Sequence, residues 1–328
     1  MKKPHVLVTG ANGFVGQHLC RALSEEGYHV TGFARSGADV SRLQAMPTVK
    51  LVAVDNYNDT AQYERWLHGV DVVVHLAARV HVMHDTSHDP LAEFRKINVE
   101  NTKMLTTVAA MAGVRRCIYV SSIKVNGEIT FDRSFEPDDQ PGFSDPYGQS
   151  KWEAEEALRE IAMSSGMEWT ILRPPLIYGP GVRGNFLSLM QTLKRGLPLP
   201  FGLVNNRRSL VSVFNCVDLL KTMLEHPRAA GQRYLVKDAE DVSTSDLIRY
   251  LASGMGRRPR LLPVPTKALM SASRVFKRED QMLRLCSNLV VSTAKTKNEL
   301  GWTAPVSLVA GINRTCEWFN IAASGRAI

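Results

Sequence analysis

Short, nearly continuous apolar runs alternate with stretches of helical spacing through the first half of the chain. Val6-Leu7-Val8 leads into a glycine-rich turn, and His18 to Ser24 then has helical character, closed by Gly27. Val30 to Phe33, Leu51 to Val54 and Val70 to Leu76 are the next apolar runs. Phe94 to Ala112 is a predicted helix with Gly113 at its C-cap. Arg116 to Val120 is a fifth strand, Tyr147 to Ser164 a helix stopped near Gly166, and Trp169 to Arg173 a sixth strand ending at Pro174-Pro175. Strands that are apolar on both faces and alternate with helices predict an α/β fold with a doubly wound parallel sheet. After Pro175 the pattern loosens and Pro, Gly and Arg become more frequent. Ser209 to Met223 restores a strand and a helix, expected to return to the main sheet.

The 328 residues are ample for a buried core. Hydrophobic residues make up 44% and charged residues 22%, as in ordinary globular proteins. No apolar run approaches the ~18 residues of a membrane span. The apolar stretch at the start stops at Thr9-Gly10, too short for a secretory leader, so a cytoplasmic protein with no integral membrane segment is expected. Five scattered cysteines without a C-x-x-C pair argue against a disulfide framework or a thiolate zinc site. The net charge of +8 suits an anionic partner. Arg257 to Arg278 carries seven basic residues and no acidic one, a solvated face or a loose membrane contact. Nothing in it has the zinc-finger spacing or aromatic interleaving of a nucleic-acid reader.

The turn after the first strand reads Thr9-Gly10-Ala11-Asn12-Gly13-Phe14-Val15-Gly16, with a helix behind it. Glycines at Gly10, Gly13 and Gly16 permit a tight turn and close backbone approach. The helix start offers N–H groups and positive potential to phosphates. This is the dinucleotide site of a Rossmann fold. The expected organisation is therefore a dinucleotide-binding part over 1–178 with a return segment at about 207–235. A smaller substrate-binding part takes 179–206 and 236–328. The second strand ends Ala34-Arg35-Ser36 without an acid. Arg35 and Ser36 suit a 2′-phosphate, which favours NADP(H), although an Arg also stacks on adenine in NAD enzymes. Asp55 is a candidate for the adenine amino group.

Tyr147 and Lys151 stand at i, i+4 and share a helix face. An ammonium about 6 Å from a phenol, at a dielectric of ~20, is worth roughly 2–3 kcal/mol, or about two pKa units. That shift would suit general acid–base work. Ser121-Ser122 ends the fifth strand, where α/β sheets hold ligands.

In this order the motifs resemble the extended short-chain dehydrogenase/reductases, the nucleotide-sugar epimerase/dehydratase superfamily. The resemblance covers nearly the whole chain. It includes the Thr9–Gly16 turn, His75-Leu76-Ala77-Ala78, Asn98-Val99-Glu100-Asn101-Thr102, Ser121-Ser122, Tyr147 with Lys151, Arg173 to Pro180, and Glu299-Leu300-Gly301-Trp302. It implies an NAD(P)(H) cofactor contacted by Gly10, Asn12, Gly13, Phe14, Val15, Gly16, Leu76, Ala77, Ala78 and Pro174. It also implies that Ser122 and Tyr147 bracket the reacting oxygen, and that Lys151 holds the nicotinamide ribose. Asn98 is a structural or cofactor-side contact. A homodimer paired through the helices Phe94–Ala112 and Tyr147–Ser164 is a further implication.

Three departures narrow the reaction. The Asp-Glu pair that removes water in the superfamily's dehydratases is replaced by Ile123-Lys124. The usual Val-Tyr-Gly is Val125-Asn126-Gly127. An Asn that often binds the phosphates is replaced by Leu176. Asn185 is a candidate for that contact, one of Arg207 and Arg208, with Arg208 preferred, matches the family's diphosphate Arg, Arg284 is a second candidate, and Lys124 is a further substrate-binding candidate. The segments 121–128 and 173–180 look most like 4-keto reductases of UDP-linked 6-deoxy-N-acetylhexosamines, enzymes of surface polysaccharide synthesis. The expected reaction is reduction at C4 of such a UDP-sugar, with a UDP-hexose 4-epimerase as the alternative. A non-catalytic dinucleotide sensor is the reading of another class. Such sensors tend to lose the Tyr–Lys pair, which this chain keeps. His81, His84 and His88 have near-ligand spacing, but hydride chemistry needs no metal and none is expected.

Overall fold

The structure is a computed structural model, and it describes residues 3–54, 60–80, 89–275 and 279–323. Nine strands occur among them: β1 (His5–Thr9), β2 (His29–Arg35), β3 (Val49–Val54), β4 (Val72–His75), β5 (Arg116–Val120), β6 (Glu168–Arg173), β7 (Leu176–Tyr178), β8 (Leu210–Ser212) and β9 (Gln232–Leu235). Seven form one sheet in the order β3-β2-β1-β4-β5-β6-β9, parallel throughout. This is the doubly wound arrangement that the apolar runs predict.

Alternate residues of the buried strands feed two cores. Val6 and Val8 point to one face, covered by the helices Phe14–Glu25 and Val213–Glu225. Leu7 and Val73 point to the other, covered by Thr60–Leu67, Asn101–Met111 and Pro146–Ser165. Four valines of β1 and β4, Val6, Val8, Val72 and Val74, are fully buried, each worth about 1.5–3 kcal/mol of transfer free energy. A third core, including Phe186, Met190, Ile248 and Ile312, lies under the smaller part.

The strand expected to return to the main sheet does not. Leu210–Ser212 pairs with β7 in a separate two-stranded sheet, Leu176 opposite Leu210. The strand that rejoins the main sheet is Gln232–Leu235, beside β6. Pro174 and Pro175 end β6 because neither has an N–H to give to a ladder. The chain leaves the sheet there and starts a second one. Tyr178 ties the second sheet down: its Oη donates to Asp238 Oδ2 at 2.7 Å, and Asp238 Oδ1 accepts from the Ser212 N–H at 2.9 Å.

Candidate active site

The glycine turn, Arg35 and Ser36, Leu76 to Ala78, Ser122 and Pro174 follow the carboxyl ends of β1, β2, β4, β5 and β6, where a doubly wound sheet opens its crevice. The turn after β1 is shaped by two glycines. Gly10 has φ +67°, and a Cβ on it would stand 2.9 Å from the Ala77 nitrogen. A Cβ on Gly16 would meet the Gly10 carbonyl oxygen at 2.2 Å, so the helix Phe14–Glu25 seats against the turn only with glycine there. Gly13 is the N-cap and brings no side-chain acceptor, and the first turn holds no acid. Its N–H groups are thus free of side-chain caps.

Behind this turn lies a closed hydrogen-bond chain. Thr9 Oγ1 accepts from the Leu76 and Ala77 N–H groups at 3.2 and 3.1 Å and meets His75 Nδ1 at 2.6 Å. His75 Nε2 meets Thr102 Oγ1 at 3.0 Å, and that hydroxyl donates to the Asn98 carbonyl at 2.6 Å. Because Thr102 spends its proton on Asn98, Nε2 carries the imidazole proton and Nδ1 accepts from Thr9. Burial, with the nearby charge of Lys151, holds His75 down to about 3, so the ring is neutral. The chain fixes the Leu76–Ala78 backbone against Gly10.

Asn98 sits in a π-helical turn, Arg95–Glu100, between the helices Pro90–Phe94 and Asn101–Met111. Its amide donates to the Arg79 carbonyl at 3.1 Å and to Ser150 Oγ at 3.0 Å, and its oxygen accepts from the Arg79 N–H at 2.7 Å. These bonds give it the structural one of its two expected roles. Ser150 Oγ in turn donates to the Tyr147 carbonyl at 2.8 Å.

The helix Pro146–Ser165 begins at Asp145, whose Oδ1 accepts from the Gly148 N–H at 2.7 Å, and Pro146 occupies the first turn. This cap sets the height of Tyr147 over β5. The Ser122 side chain acts on the Tyr147 phenol and favours its ionised form. The Phe94 ring lies edge-on to Tyr147 at 5.8 Å. Lys151 is 1% exposed, donates to the Val120 carbonyl at 2.7 Å and lies 4.1 Å over the Tyr119 ring. Burial lowers Lys151 to about 7, with Glu155 opposing. Burial pushes Tyr147 up to about 12, with Ser122 opposing and Asp145 adding to the rise. The expected lowering of the phenol by its ammonium neighbour is therefore not found in the protein by itself. Desolvation acts on both partners, and it outweighs the assistance a solvated ammonium would give.

The outer part of the crevice is charged. Lys124 pairs with Asp145 and, at 2.7 Å, with Glu128. Arg284 reaches Glu128 at 3.2 Å. Arg208 donates to the Ser287 carbonyl at 3.2 Å. Burial holds its guanidinium below the ordinary value, Glu128 offsets this, and Arg284 adds to it. The structure thus brings Lys124, Arg208 and Arg284 together. Arg35 is exposed at the end of β2, with Ser36 partly buried beside it. Asn185 is exposed in the first turn of Gly184–Lys194, and Leu176 on β7 is 49% exposed. Asp55, His81, His84 and His88 lie outside the described residues. Among the described residues no cluster of His, Cys, Asp and Glu has the make-up of a metal site, and no helix is long and apolar enough to cross a membrane.

Glu128 and Asp145 were not singled out from the sequence. Asp145-Pro146 ahead of a helix is a start signal that marks the cap. Glu128 has no local signal.

A parallel α/β sheet, a capless helix start after β1, and a Ser–Tyr–Lys set at the β5 end define a dinucleotide-binding protein of the short-chain dehydrogenase type. Comparison with known proteins narrows the class. The model of the NAD-dependent epimerase/dehydratase family matches residues 6–236, and the chain belongs to that family. A UDP-glucose 4-epimerase of Vibrio cholerae is 40% identical over 316 residues, 96% of this chain and 95% of the relative. The N-acetyl-alpha-D-glucosaminyl-diphospho-ditrans,octacis-undecaprenol 4-epimerase of Escherichia coli O157:H7 is 26% identical over 331 residues, 96% of this chain and 95% of the relative. Among solved structures, a UDP-glucuronic acid 4-epimerase from Bacillus cereus in complex with NAD has a TM-score of 0.80 at 22% identity, covering 96% of this chain and 98% of that one. At that identity the likeness speaks for the fold.

Proposed function

We propose that the protein is an NAD(P)(H)-dependent reductase of a UDP-linked 4-keto-6-deoxy-N-acetylhexosamine, acting at C4. The observation that carries this reading is the convergence of Ser122, Tyr147 and Lys151 at the end of β5, beside a glycine turn open to phosphates.

The residues present fit a nicotinamide dinucleotide. The first turn of Phe14–Glu25 has no side-chain cap, and Ser121 Oγ is buried without a partner among the described residues. Gly10 to Gly16 would hold the pyrophosphate and Lys151 the nicotinamide ribose, with Leu76, Ala77, Ala78 and Pro174 beside them. Arg35 and Ser36 give NADP(H) an edge over NAD(H). When bound, the cofactor supplies the hydride for the C4 carbon.

Ser122 Oγ and Tyr147 Oη would bracket the C4 oxygen. Tyr147 Oη gives its proton to that oxygen as the carbonyl becomes an alcohol. A phenol at about 12 is protonated at neutral pH, so the proton to be given is present on it. Lys124, Asn185, Arg208 and Arg284 would receive the UDP part, between the dinucleotide-binding part and residues 179–206 and 236–328. Ile123-Lys124 supplies no acid–base pair for dehydration. By family likeness the assembly is a cytoplasmic homodimer.

The second reading is a UDP-hexose 4-epimerase, favoured by the Vibrio cholerae relative. Incubating purified protein with the UDP-4-keto sugar and NAD(P)H separates the two. Reduction predicts stoichiometric loss of reduced cofactor. An inert ketone, with interconversion of UDP-glucose and UDP-galactose or their N-acetyl forms, selects the epimerase.

A further inference from the structure

Four segments far apart in the chain bring Lys124, Glu128, Asp145, Arg208 and Arg284 to one place. Glu128 is the hub. It pairs with Lys124 Nζ at 2.7 Å and with Arg284 Nη2 at 3.2 Å, accepts a hydrogen bond from Arg284 Nε at 3.5 Å, and its charge acts on Arg208. Lys124 and Glu128 each keep about a fifth of their side-chain exposure, and Arg284 about a third. The cluster is therefore half-shielded, and its charges act on one another more strongly than on an open surface. Three cations meet two carboxylates. Asp145 is committed on its other oxygen to the start of the Tyr147 helix. Glu128 has no such structural duty in the described contacts, since its partners are the cations themselves.

Arg208 and Arg284 are the candidates for the diphosphate, and Lys124 is proposed beside them on the UDP-sugar side. A carboxylate paired with Lys124 and Arg284, and acting on Arg208 through its charge, offers these cations the negative charge that a phosphate would offer. Without it, Arg284 and Arg208 repel each other in a partly dry site. With it, they stay converged, but an arriving diphosphate meets a like charge and must take over its hydrogen bonds.

We propose that Glu128 is an internal counter-anion that competes with the substrate's diphosphate for Lys124, Arg208 and Arg284, and so sets how tightly the nucleotide end is held. The inference rests on the nucleotide-sugar reading of this cleft. It makes Glu128 a residue that keeps the site assembled between turnovers and eases release of the product. Its removal therefore tightens nucleotide binding, whereas removal of a residue with a merely structural role would weaken it.

The test is Glu128→Gln, which keeps the shape and removes the charge. UDP binding is followed by titration calorimetry and by UDP inhibition of turnover. The expected result is UDP bound about tenfold tighter than by the native chain, the scale of one charge–charge contact in a half-shielded site. Glu128→Asp, which retains the carboxylate, returns the affinity to within about twofold of native. Thermal melts monitor folding, and Glu128→Ser carries the same expectation should the Gln chain not fold. UDP bound by the native protein but no tighter by the charge-free variants overturns this inference alone. UDP bound by neither overturns the nucleotide-sugar reading and this inference with it.

Discussion

Around Lys151 the crevice is dry: the ammonium is 1% exposed, the imidazole beside it is neutral, and Glu155, the carboxylate that acts on it, is held by Arg173 at 2.6 and 2.9 Å. Around Lys124 the paired groups keep part of their exposure, about a fifth for Lys124 and Glu128 and about a third for Arg284. Burial dominates the protonation of the inner Lys151, Tyr147 and His75, while the outer Lys124, Glu128 and Arg284 stand in ion pairs. On the proposed reading the inner end serves proton transfer in a low-dielectric setting, where charge is costly until it is needed. On the same reading the outer end serves recognition, where charge is already present and has only to be re-partnered. The two ends meet at Asp145, which caps the helix of Tyr147 and holds Lys124.

Substitutions at the two ends should divide between rate and affinity. The largest effect belongs to Tyr147→Phe. Removing the proton donor should cut kcat by roughly 10²–10⁴-fold, with dinucleotide binding retained. A Phe variant that keeps its turnover erases the division. Next in size is Arg208→Ala. Loss of a charged hydrogen-bond donor to the diphosphate, worth about 1.5–3 kcal/mol, should raise KM for the UDP-sugar by roughly 10–100-fold. The kcat should stay close to native. A collapse of kcat at unchanged KM would move Arg208 to the inner end.

The smallest effect is on stability. Folding takes Lys151 from its ordinary 10.5 to about 7. Between those values the unfolded chain binds more protons than the folded one, so stability from this group rises with pH across that window. Below pH 7 both states are protonated and the full cost of burying the ammonium is felt. Melting temperatures at pH 7 and pH 9 compare the native chain with Lys151→Met. The native chain should gain a few degrees relative to the variant. Parallel curves would show that the ammonium is not desolvated.

The inner end was the more legible from sequence. Its strands are continuous apolar runs, its turn carries three spaced glycines, and Tyr147 with Lys151 is a local i, i+4 pair. Each is a short-range signal. The outer cluster draws Lys124 and Glu128 from the turn after β5, Arg208 from beside β8 and Arg284 from the helix Glu279–Cys286. No local pattern announces that Glu128 will face two arginines 80 and 156 residues away in the chain. Two errors have the same root. Leu210–Ser212 has the apolar pattern of a main-sheet strand, but its partner is chosen by the break at Pro174-Pro175. The pairing of Tyr147 with Lys151 was right in spacing. Its pKa consequence was reversed by burial, to which Phe94 beside Tyr147 and Tyr119 under Lys151 contribute from elsewhere in the chain.

The central claim is that a protein-held phenol gives a proton to a sugar C4 oxygen while the C4 carbon takes a hydride. Reducing the UDP-4-keto sugar with nicotinamide cofactor deuterated at ring C4 tests it most directly. The account predicts one deuterium at sugar C4 per product, one oxidised cofactor per turnover, and loss of both in Tyr147→Phe. Product without deuterium at C4, or label transfer undiminished in the Phe variant, would contradict it.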